Sequence, residues 1–169
     1  MKKVWLLSAL TATLVVGAAT IAAVAVASDD GGHELEARLS PFNEVPALST
    51  SARGKLELDV GSSSLEYKLS YDGLSGNVLF AHIHFAQRGV NGGVVAFLCG
   101  GGTKPDPCPQ SGTVTGTITA ADVVDLAAQG IAPGEFDELV RLLKAKRGYG
   151  NVHSSAFPSG ELRGQIEED

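Results

Sequence analysis

The sequence predicts an all-β fold, an antiparallel β-sandwich of seven to eight strands with a short helical insertion. Polar and apolar residues alternate along most of the chain beyond residue 32, and glycine- or serine-rich turns separate the alternating segments. Alternation with a period of two is typical of strands that bury one face and expose the other. Many short strands separated by turns are typical of a sandwich.

The first three predicted strands each have one apolar face. Their expected inward-facing residues are Leu35, Ala37 and Leu39; Leu56, Leu58 and Val60; and Leu65, Tyr67, Leu69 and Tyr71. Charged and polar residues occupy most of the alternate positions, as expected for a solvated outer face. Gly61-Ser62-Ser63-Ser64 predicts a hairpin-like connection between the second strand and the third.

Four further strands are predicted along the rest of the chain. The segment from about Asn77 to Phe85 has no residue that is charged at neutral pH, which predicts a central strand. A short apolar strand is expected over Val94–Leu98, and a strand with a polar threonine face over Thr113–Thr119. Ser159–Ile166 alternates again, and an acidic tail follows it.

A helical period appears only in the insertion, residues 120–147. Thr117 or Thr119 is placed to cap a short helix at the start of the insertion, and Pro133-Gly134 is placed to open a second one. Gly148 lies where a helix stop is expected. The second helix is expected to pack across one end of the sandwich through an apolar stripe, which consists of Phe136, Leu139, Val140 and Leu143.

The N-terminal residues predict export. Lys2-Lys3 is followed by 24 residues without charge, and Ala25-Val26-Ala27 is a small-x-small cleavage pattern. The uncharged run is longer than the core of most signal peptides and long enough to span a bilayer. We therefore expect residues 1–27 to be a signal peptide or an N-terminal membrane anchor, and residues 28–32 to be a linker. Either alternative places the domain, residues 33–167, in the extracellular space, in the periplasm or at the cell surface.

The charge of the exported part argues against nucleic acid as a partner. Without its first 27 residues the chain has 11 basic and 19 acidic residues, a formal charge of −8. No basic patch of the kind that contacts phosphate backbones occurs in the sequence. The expected partner is an extracellular or cell-envelope protein. Contact with a membrane is expected only through the N-terminal segment, if that segment is uncleaved.

The two cysteines, Cys99 and Cys108, flank a loop rich in glycine and proline. Two nearby cysteines in an exported chain are expected to form a disulfide. A thiolate metal site is the alternative, but no histidine lies near them in sequence, and their spacing differs from the usual ligand spacings.

Three of the four histidines lie in two predicted strand segments, Ala81-His82-Ile83-His84-Phe85 and Tyr149-Gly150-Asn151-Val152-His153. His82 and His84 point to the same face because side chains alternate along a strand. With His153 from a neighbouring strand, they form a candidate site for one copper or zinc ion. Three protein ligands leave a position for water, as in catalytic zinc sites. The alternative is a polar cluster in which the imidazoles bond to backbone groups of loops.

The order of several segments resembles the chordin (CHRD) domain family. These segments are Asn43-Glu44-Val45-Pro46, Gly73-Leu74-Ser75-Gly76, Ala81-His82-Ile83-His84, and Asn151-Val152-His153 with Gly160-Glu161-Leu162-Arg163-Gly164-Gln165-Ile166. The resemblance extends from about residue 33 to residue 166 and implies an exported, immunoglobulin-like β-sandwich. It implies little about activity. The additional cysteine-rich modules of the animal proteins are missing, so growth-factor binding is not implied.

Glu44 and Arg163 fall within these segments, and we expect them to support the histidine site. One or both of them would brace the strand ends around the histidines, and a charge-assisted pair between them is one way to do so. The alternative for Arg163 is that it coats, together with Glu161, the solvated face of the last strand. His33 lies in a glycine-flanked start of the domain and is expected to be solvated, with a fourth metal ligand as the alternative.

A weaker, local similarity is to the superoxide-dismutase-like sandwich of the Cu/Zn superoxide dismutases. Those enzymes also place His-x-His on a strand, so that His82 and His84 match this pair and His153 matches a later histidine. The segment Phe85–Gly92 contains no histidine that could bridge two metal ions. The second metal site is therefore missing, and dismutation is not implied.

Two functions remain open from the sequence. The first is a non-enzymatic extracellular or cell-surface module that binds a partner through its loops. The sequence lacks the Gly-x-Ser-x-Gly, phosphate-loop and His-Glu-x-x-His motifs of several enzyme classes. The alternative is a copper- or zinc-binding protein, extending to a redox enzyme, that uses the three histidines. Structural support within a cell-envelope assembly is a third reading.

Overall fold

The computed structural model describes residues 33–168 and Met1. The predicted signal peptide or anchor, residues 1–27, and the predicted linker, residues 28–32, lie outside the continuous described part. Within this part, nine strands form two antiparallel sheets, so the prediction of an all-β sandwich is confirmed, with one strand more than the seven to eight expected. No helix among the described residues is long and apolar enough to cross a membrane.

The strands follow the predicted order along the chain. In chain order they are β1 (His33–Leu39), β2 (Arg53–Val60), β3 (Ser64–Asp72), β4 (Val78–Phe85), β5 (Gly93–Cys99), β6 (Gly112–Thr119), β7 (Gly148–Ser154), β8 (Leu162–Gln165) and β9 (Glu167–Glu168). The first sheet has the order β6-β3-β2-β1-β9, and the second has the order β5-β4-β7-β8. Between β8 and β9 the chain passes from one sheet to the other at the buried Ile166.

The core lies between the two sheets. Every inward-facing residue predicted for the first three strands is buried, with at most 5% of its surface exposed. Each large aliphatic side chain buried in this way contributes about 1.5–3 kcal/mol to folding. The Tyr67 hydroxyl donates a hydrogen bond of 2.7 Å to the Leu98 carbonyl, which links β3 of the first sheet to β5 of the second.

Strand β4 is the central strand that its sequence predicts. It pairs with β5 on one side and β7 on the other. Ala81 and Ile83 point into the core and are fully buried. Because side chains alternate, Phe80, His82 and His84 point to the outer face of the second sheet.

Pairing with β8 holds a loop over that outer face. This loop, residues 40–44, is called the covering loop. The backbones of Ser40 and Arg163 exchange hydrogen bonds of 3.0 and 3.3 Å, which place the turn Pro41–Asn43 beside β8. Gly164 permits this approach, because a Cβ atom there would lie only 2.4 Å from the Arg38 carbonyl oxygen.

The last predicted strand is shorter and more buried than expected. Ser159–Ile166 was expected to alternate between core and solvent, but only Leu162–Gln165 forms β8. All four of its residues are buried. The reason is that one face lies on the core and the other lies under loops.

The insertion between β6 and β7 contains less helix than predicted. Thr119 precedes a single 3-10 turn, Ala120–Asp122, and a second 3-10 turn occupies Ala127–Gln129. The α-helix α1 (Phe136–Lys144) begins two residues after Gly134. The predicted apolar stripe of α1 joins the core, with Phe136, Leu139 and Leu143 buried and Val140 partly buried.

The prediction that Gly148 stops this helix is wrong. Helix α1 ends at Lys144, and Gly148 is the first residue of β7. A Cβ atom there would lie 2.5 Å from a terminal methyl group of Leu143, so a larger residue would require that side chain to move.

The predicted disulfide is confirmed, because Cys99 and Cys108 are bonded to each other. It closes a loop with a sequence separation of 9 between the end of β5 and the segment before β6. Both sulfur atoms are therefore unavailable as metal ligands.

We expect the double variant Cys99→Ser/Cys108→Ser to unfold with a free energy about 2–3 kcal/mol lower, because closing a short loop removes little entropy from the unfolded chain. Denaturant unfolding of both proteins measures this difference. A loss of the whole fold would show that the bridge holds more than its own loop.

Candidate metal site

The structure brings three histidines together on the outer face of the second sheet. His82 pairs with Asn151 across β4 and β7, so His153 is its diagonal neighbour on the same face. The ring centroid of His82 lies 4.5 Å from that of His84 and 4.5 Å from that of His153. One ring nitrogen from each histidine lies within 4.8 Å of the other two.

This spacing is close to that of a bound ion. Nitrogens bonded to one ion at 2.0–2.1 Å lie about 3.4 Å apart in tetrahedral geometry. The farthest pair therefore closes by roughly 1.4 Å at most, which small side-chain rotations supply.

Each ring also has one buried nitrogen without a hydrogen-bond partner among the described residues. These atoms are His82 Nδ1, His84 Nε2 and His153 Nε2. A buried polar atom left unpaired costs about 1–3 kcal/mol, and native structures contain few of them. A single shared ligand between the rings would satisfy all three atoms at once.

Backbone carbonyls fix the protonation of two of the rings. His84 Nδ1 lies 2.9 Å from the Gly92 carbonyl oxygen, and His153 Nδ1 lies 2.9 Å from the Pro158 carbonyl oxygen. A carbonyl only accepts, so each Nδ1 carries the proton and each Nε2 presents a lone pair. Histidines that bind metals are commonly oriented in this way.

Burial keeps the three imidazoles neutral. His82 and His153 are 4% and 5% exposed, and His84 is half-buried. Burial, with smaller contributions from His84 and His153, lowers the pKa of His82 to about 2. Burial lowers the pKa of His84 to about 4 and moves that of His153 below its usual value. Neutral imidazole is the form that binds metal ions.

Aromatic side chains surround the histidines. The Phe80 ring lies 5.3 Å from the His82 ring and 4.6 Å from the His153 ring. Phe97 contacts His82 edge-on, and Tyr149 stacks on His84 at 4.6 Å. The site is thus enclosed by apolar ring surface on several sides.

Arg163 is buried beside the site, so the alternative in which it coats a solvated face is wrong. It is 2% exposed, and its guanidinium lies 3.6 Å from the centroid of the Tyr149 ring. It donates hydrogen bonds to Asn91 Oδ1 at 2.8 Å and to the Val90 carbonyl at 2.5 Å. Arg163 therefore holds the loop that carries the carbonyl of Gly92.

Glu44 reaches the same face from the covering loop. It accepts a hydrogen bond of 2.6 Å from Asn151 Nδ2, and Asn151 also donates to the Leu162 carbonyl. Among the ion pairs of the described residues, Glu44 and Arg163 do not form one, so the predicted direct pair is wrong. Burial raises the pKa of Glu44, against the lowering effects of Asn151 and Arg163.

Three supporting residues were not predicted as such from the sequence. Asn151 lies two positions before His153 on the same strand face, and this period of two could have indicated it. Gly160 has a φ of +128°, and a Cβ atom there would lie 2.6 Å from Glu44 Oε1. Glu161 is completely buried and binds serines, which an isolated glutamate in a sequence does not reveal.

His33 is exposed at the start of β1 and is not part of the histidine group. The group found among the described residues contains no carboxylate and no cysteine.

The fold and this cluster define an antiparallel β-sandwich domain with a candidate three-histidine metal site on the outer face of one sheet. A family model described as the CHRD domain matches residues 35–166. The chain belongs to the CHRD domain family, which confirms the resemblance seen in its sequence. Comparison with curated proteins and with solved structures gave no match.

We expect the metal-free protein to lose stability as the pH falls below about 6.5, the pKa of an unfolded-state histidine. His82 and His84 have lower pKa values when folded, so the unfolded chain binds more protons in this range. The unfolding free energy then falls by up to about 1.4 kcal/mol per pH unit for each such histidine. The pKa of Glu44 is raised in the folded protein, so protonation of Glu44 increases the unfolding free energy as the pH falls and opposes the effect of the histidines.

Denaturant unfolding with a chelator present, at pH 7 and pH 5, measures this dependence. The variant His82→Phe is the control, because it removes one histidine and leaves the contribution of Glu44. An identical pH dependence in both proteins would refute the prediction.

We expect Arg163→Ala to weaken metal binding by about 10–100-fold, the usual effect of losing a residue that orients a ligand. The loop around Gly92 loses the two hydrogen bonds that hold it, and the His84 ring loses its fixed orientation. Competition with a chromophoric chelator measures the affinity. The exposed Arg141→Ala is the matched control, and unchanged affinity and melting temperature in Arg163→Ala would end the bracing hypothesis.

Proposed function

We propose that this domain is an exported metal-binding protein that holds one copper or zinc ion through His82, His84 and His153. The observation that supports it most is that three ring nitrogens, one from each histidine, lie within 4.8 Å of one another, and that each ring has a buried nitrogen without a partner among the described residues. Packing alone gives no reason for three buried polar atoms of one cluster to go without a partner.

The residues fit such an ion in three further respects. The imidazoles are neutral at physiological pH, as ligation requires. Carbonyls of Gly92 and Pro158 hold two rings in the tautomer that presents Nε2. Imidazole is a ligand that suits both copper and zinc, of which copper would supply redox chemistry and zinc a Lewis acid.

Export is part of the proposal. It is supported by the N-terminal sequence and by the disulfide, since disulfides persist mainly in oxidising compartments.

Elemental analysis of the full-length protein tests the metal site. The protein is stripped with a chelator, incubated with copper or zinc, and separated from free ions by gel filtration. We expect one ion per chain and a higher melting temperature for the loaded protein, because a ligand that binds only the folded state stabilises it. Less than a tenth of an ion per chain with both metals would reject the proposal.

A second candidate function is a binding module for an extracellular or cell-envelope protein, which membership of the CHRD family supports. Its specific observation is a pair of exposed apolar loop residues, Phe42 at 68% and Val90 at 41% exposure. Asn91 Nδ2 donates to the Val45 carbonyl at 3.4 Å and links these two loops. Loops held on a rigid sandwich are common recognition surfaces.

Site-specific photo-crosslinking in intact cells tests this second function. A crosslinker at position 42 is expected to give one discrete adduct with an envelope protein. The same group at position 59, on the exposed face of the first sheet, is the control. Equal adducts at both positions would contradict a specific surface.

A further inference from the structure

We infer that the ion is copper in its +1 state, bound by the three imidazoles alone in three-coordinate geometry. This inference rests on the proposed function and adds the oxidation state and the coordination number.

The number of donors favours this ion. Among the described residues the group offers His82, His84 and His153 and no further carboxylate or thiolate. Zinc sites in proteins are almost always four-coordinate, with a fourth protein ligand or a water. Cu(I) shares the filled d shell of Zn(II) but carries half its charge and forms stable complexes with only two or three ligands, so three nitrogens satisfy it.

The charge of the surroundings favours a monovalent ion. Among the described residues the histidine group contains no carboxylate, and the buried guanidinium of Arg163 lies beside it. Arg163 lies over the Tyr149 ring, and that ring stacks on His84. The cost of burying an ion scales with the square of its charge, so a divalent ion costs about four times as much as a monovalent one.

The aromatic rings that cover the histidines also favour Cu(I). Phe80 packs on the His82 and His153 rings, and Phe97 packs on His82. The three donor nitrogens are buried from solvent. Cu(II) and Zn(II) usually complete their shells with water, and this cover restricts that water.

Parallel titrations of the full-length, metal-stripped protein test the inference. Cu(I) is titrated without oxygen in competition with bicinchoninate, and Zn(II) is titrated in competition with a chromophoric chelator. We expect one Cu(I) per chain, Zn(II) affinity weaker by about 100-fold or more, and bound copper that stays silent in electron paramagnetic resonance after exposure to air. An X-ray absorption spectrum is expected to show three nitrogen neighbours.

The other outcomes are distinguishable. Zn(II) bound as tightly as Cu(I), or bound copper that becomes paramagnetic Cu(II) in air, overturns the Cu(I) inference and leaves the metal site intact. Failure to bind either metal overturns both proposals.

One variant pair tests the charge argument. Phe97→Asp places a carboxylate beside His82 and is expected to raise the affinity for Zn(II) relative to Cu(I) by about tenfold or more. Phe97→Leu removes the same ring without adding charge and is the matched control. An unchanged metal preference in a folded Phe97→Asp protein overturns the argument, and the wild-type titrations decide the inference if that variant does not fold.

Discussion

His82→Ala is expected to abolish stoichiometric metal binding, with a loss of affinity of about 100-fold or more. His82 contributes one of only three donor atoms that converge among the described residues. Its central position strengthens the effect, because its ring lies 4.5 Å from each of the other two rings. The two remaining histidines are a weak site for an ion that needs at least three ligands.

The same variant separates metal binding from folding. At about 1,000 times its Kd, an ion that binds only the folded state adds about 4 kcal/mol of stability. We expect this gain in the wild-type protein and its absence in His82→Ala. The metal-free variant is expected to stay folded, because His82 Nδ1 has no hydrogen-bond partner within the described part of the chain that the substitution would remove.

His33→Ala is the matched control, since His33 is the one histidine outside the cluster and is exposed. Metal content and thermal unfolding of the three proteins can be measured side by side. Metal content that is equal in wild type and His82→Ala would reject the assignment of the site. A loss in His33→Ala would place the metal elsewhere.

The second large effect is expected from Glu161→Ala, a loss of about 3 kcal/mol or more in unfolding free energy. Glu161 is completely buried. Its carboxylate accepts hydrogen bonds from the Ser75 amide at 2.9 Å, the Ser75 hydroxyl at 2.7 Å and the Ser154 hydroxyl at 2.5 Å. Alanine leaves the buried Ser154 hydroxyl and the two part-buried Ser75 donors without this acceptor, and it leaves a cavity in place of the side chain.

This network also positions the candidate site. Ser154 follows His153 directly, and Ser75 lies in the connection that leads into β4. We therefore expect Glu161→Ala to weaken metal binding as well, although Glu161 is not in the histidine group.

The pH dependence of stability distinguishes the hydrogen-bonding role of Glu161 from simple packing. Burial raises the pKa of Glu161, but hydrogen bonds from Ser154 and Ser75 outweigh burial and hold the pKa below its usual value. Its stabilising contribution is therefore present above the unfolded pKa of about 4.3 and is lost as the pH falls through the folded pKa. The difference in stability between wild type and Glu161→Ala should shrink at low pH.

Glu57→Ala is the control for a glutamate on the surface of the same fold. Its ion pairs with Lys55 and Lys68 are solvent-exposed and are worth at most about 1 kcal/mol. Denaturant unfolding at pH 7 and pH 3.5 measures the loss of unfolding free energy in each of the two variants. Equal losses for the two variants would contradict the bracing role of Glu161.

Much of the sandwich could be predicted because its signal is local. In β1, β2 and β3 one face is apolar and the other is charged. The residue pattern of each strand is therefore enough to identify the face that is buried. The same period of two placed His82 and His84 side by side. His153 was expected to reach them from a neighbouring strand, and the register of β4 and β7 places it diagonally beside His82.

The rest of the site depends on partners that leave no local signal. Gly92 and Pro158 act through backbone carbonyls, which every residue has. Asn151 and Glu44 are separated by 107 residues, so their hydrogen bond is visible only in the folded chain. Arg163 was ambiguous for the same reason, because the loop that buries it comes from a distant part of the sequence.

Gly148 shows a different limit. A glycine after a helical stripe is a common stop signal, but it is equally required where two segments pack closely. The sequence contains no feature that separates these two roles, and the structure places Gly148 at the start of β7, close to the Leu143 side chain.

The central claim is that the three imidazoles share one ion. Anomalous diffraction from crystals of the metal-loaded full-length protein, recorded at the absorption edge of the added metal, tests it most directly. We expect one strong peak between the rings of His82, His84 and His153, about 2.0–2.1 Å from one nitrogen of each. Loaded crystals with no peak at that point, or with the peak at other residues, would contradict the claim.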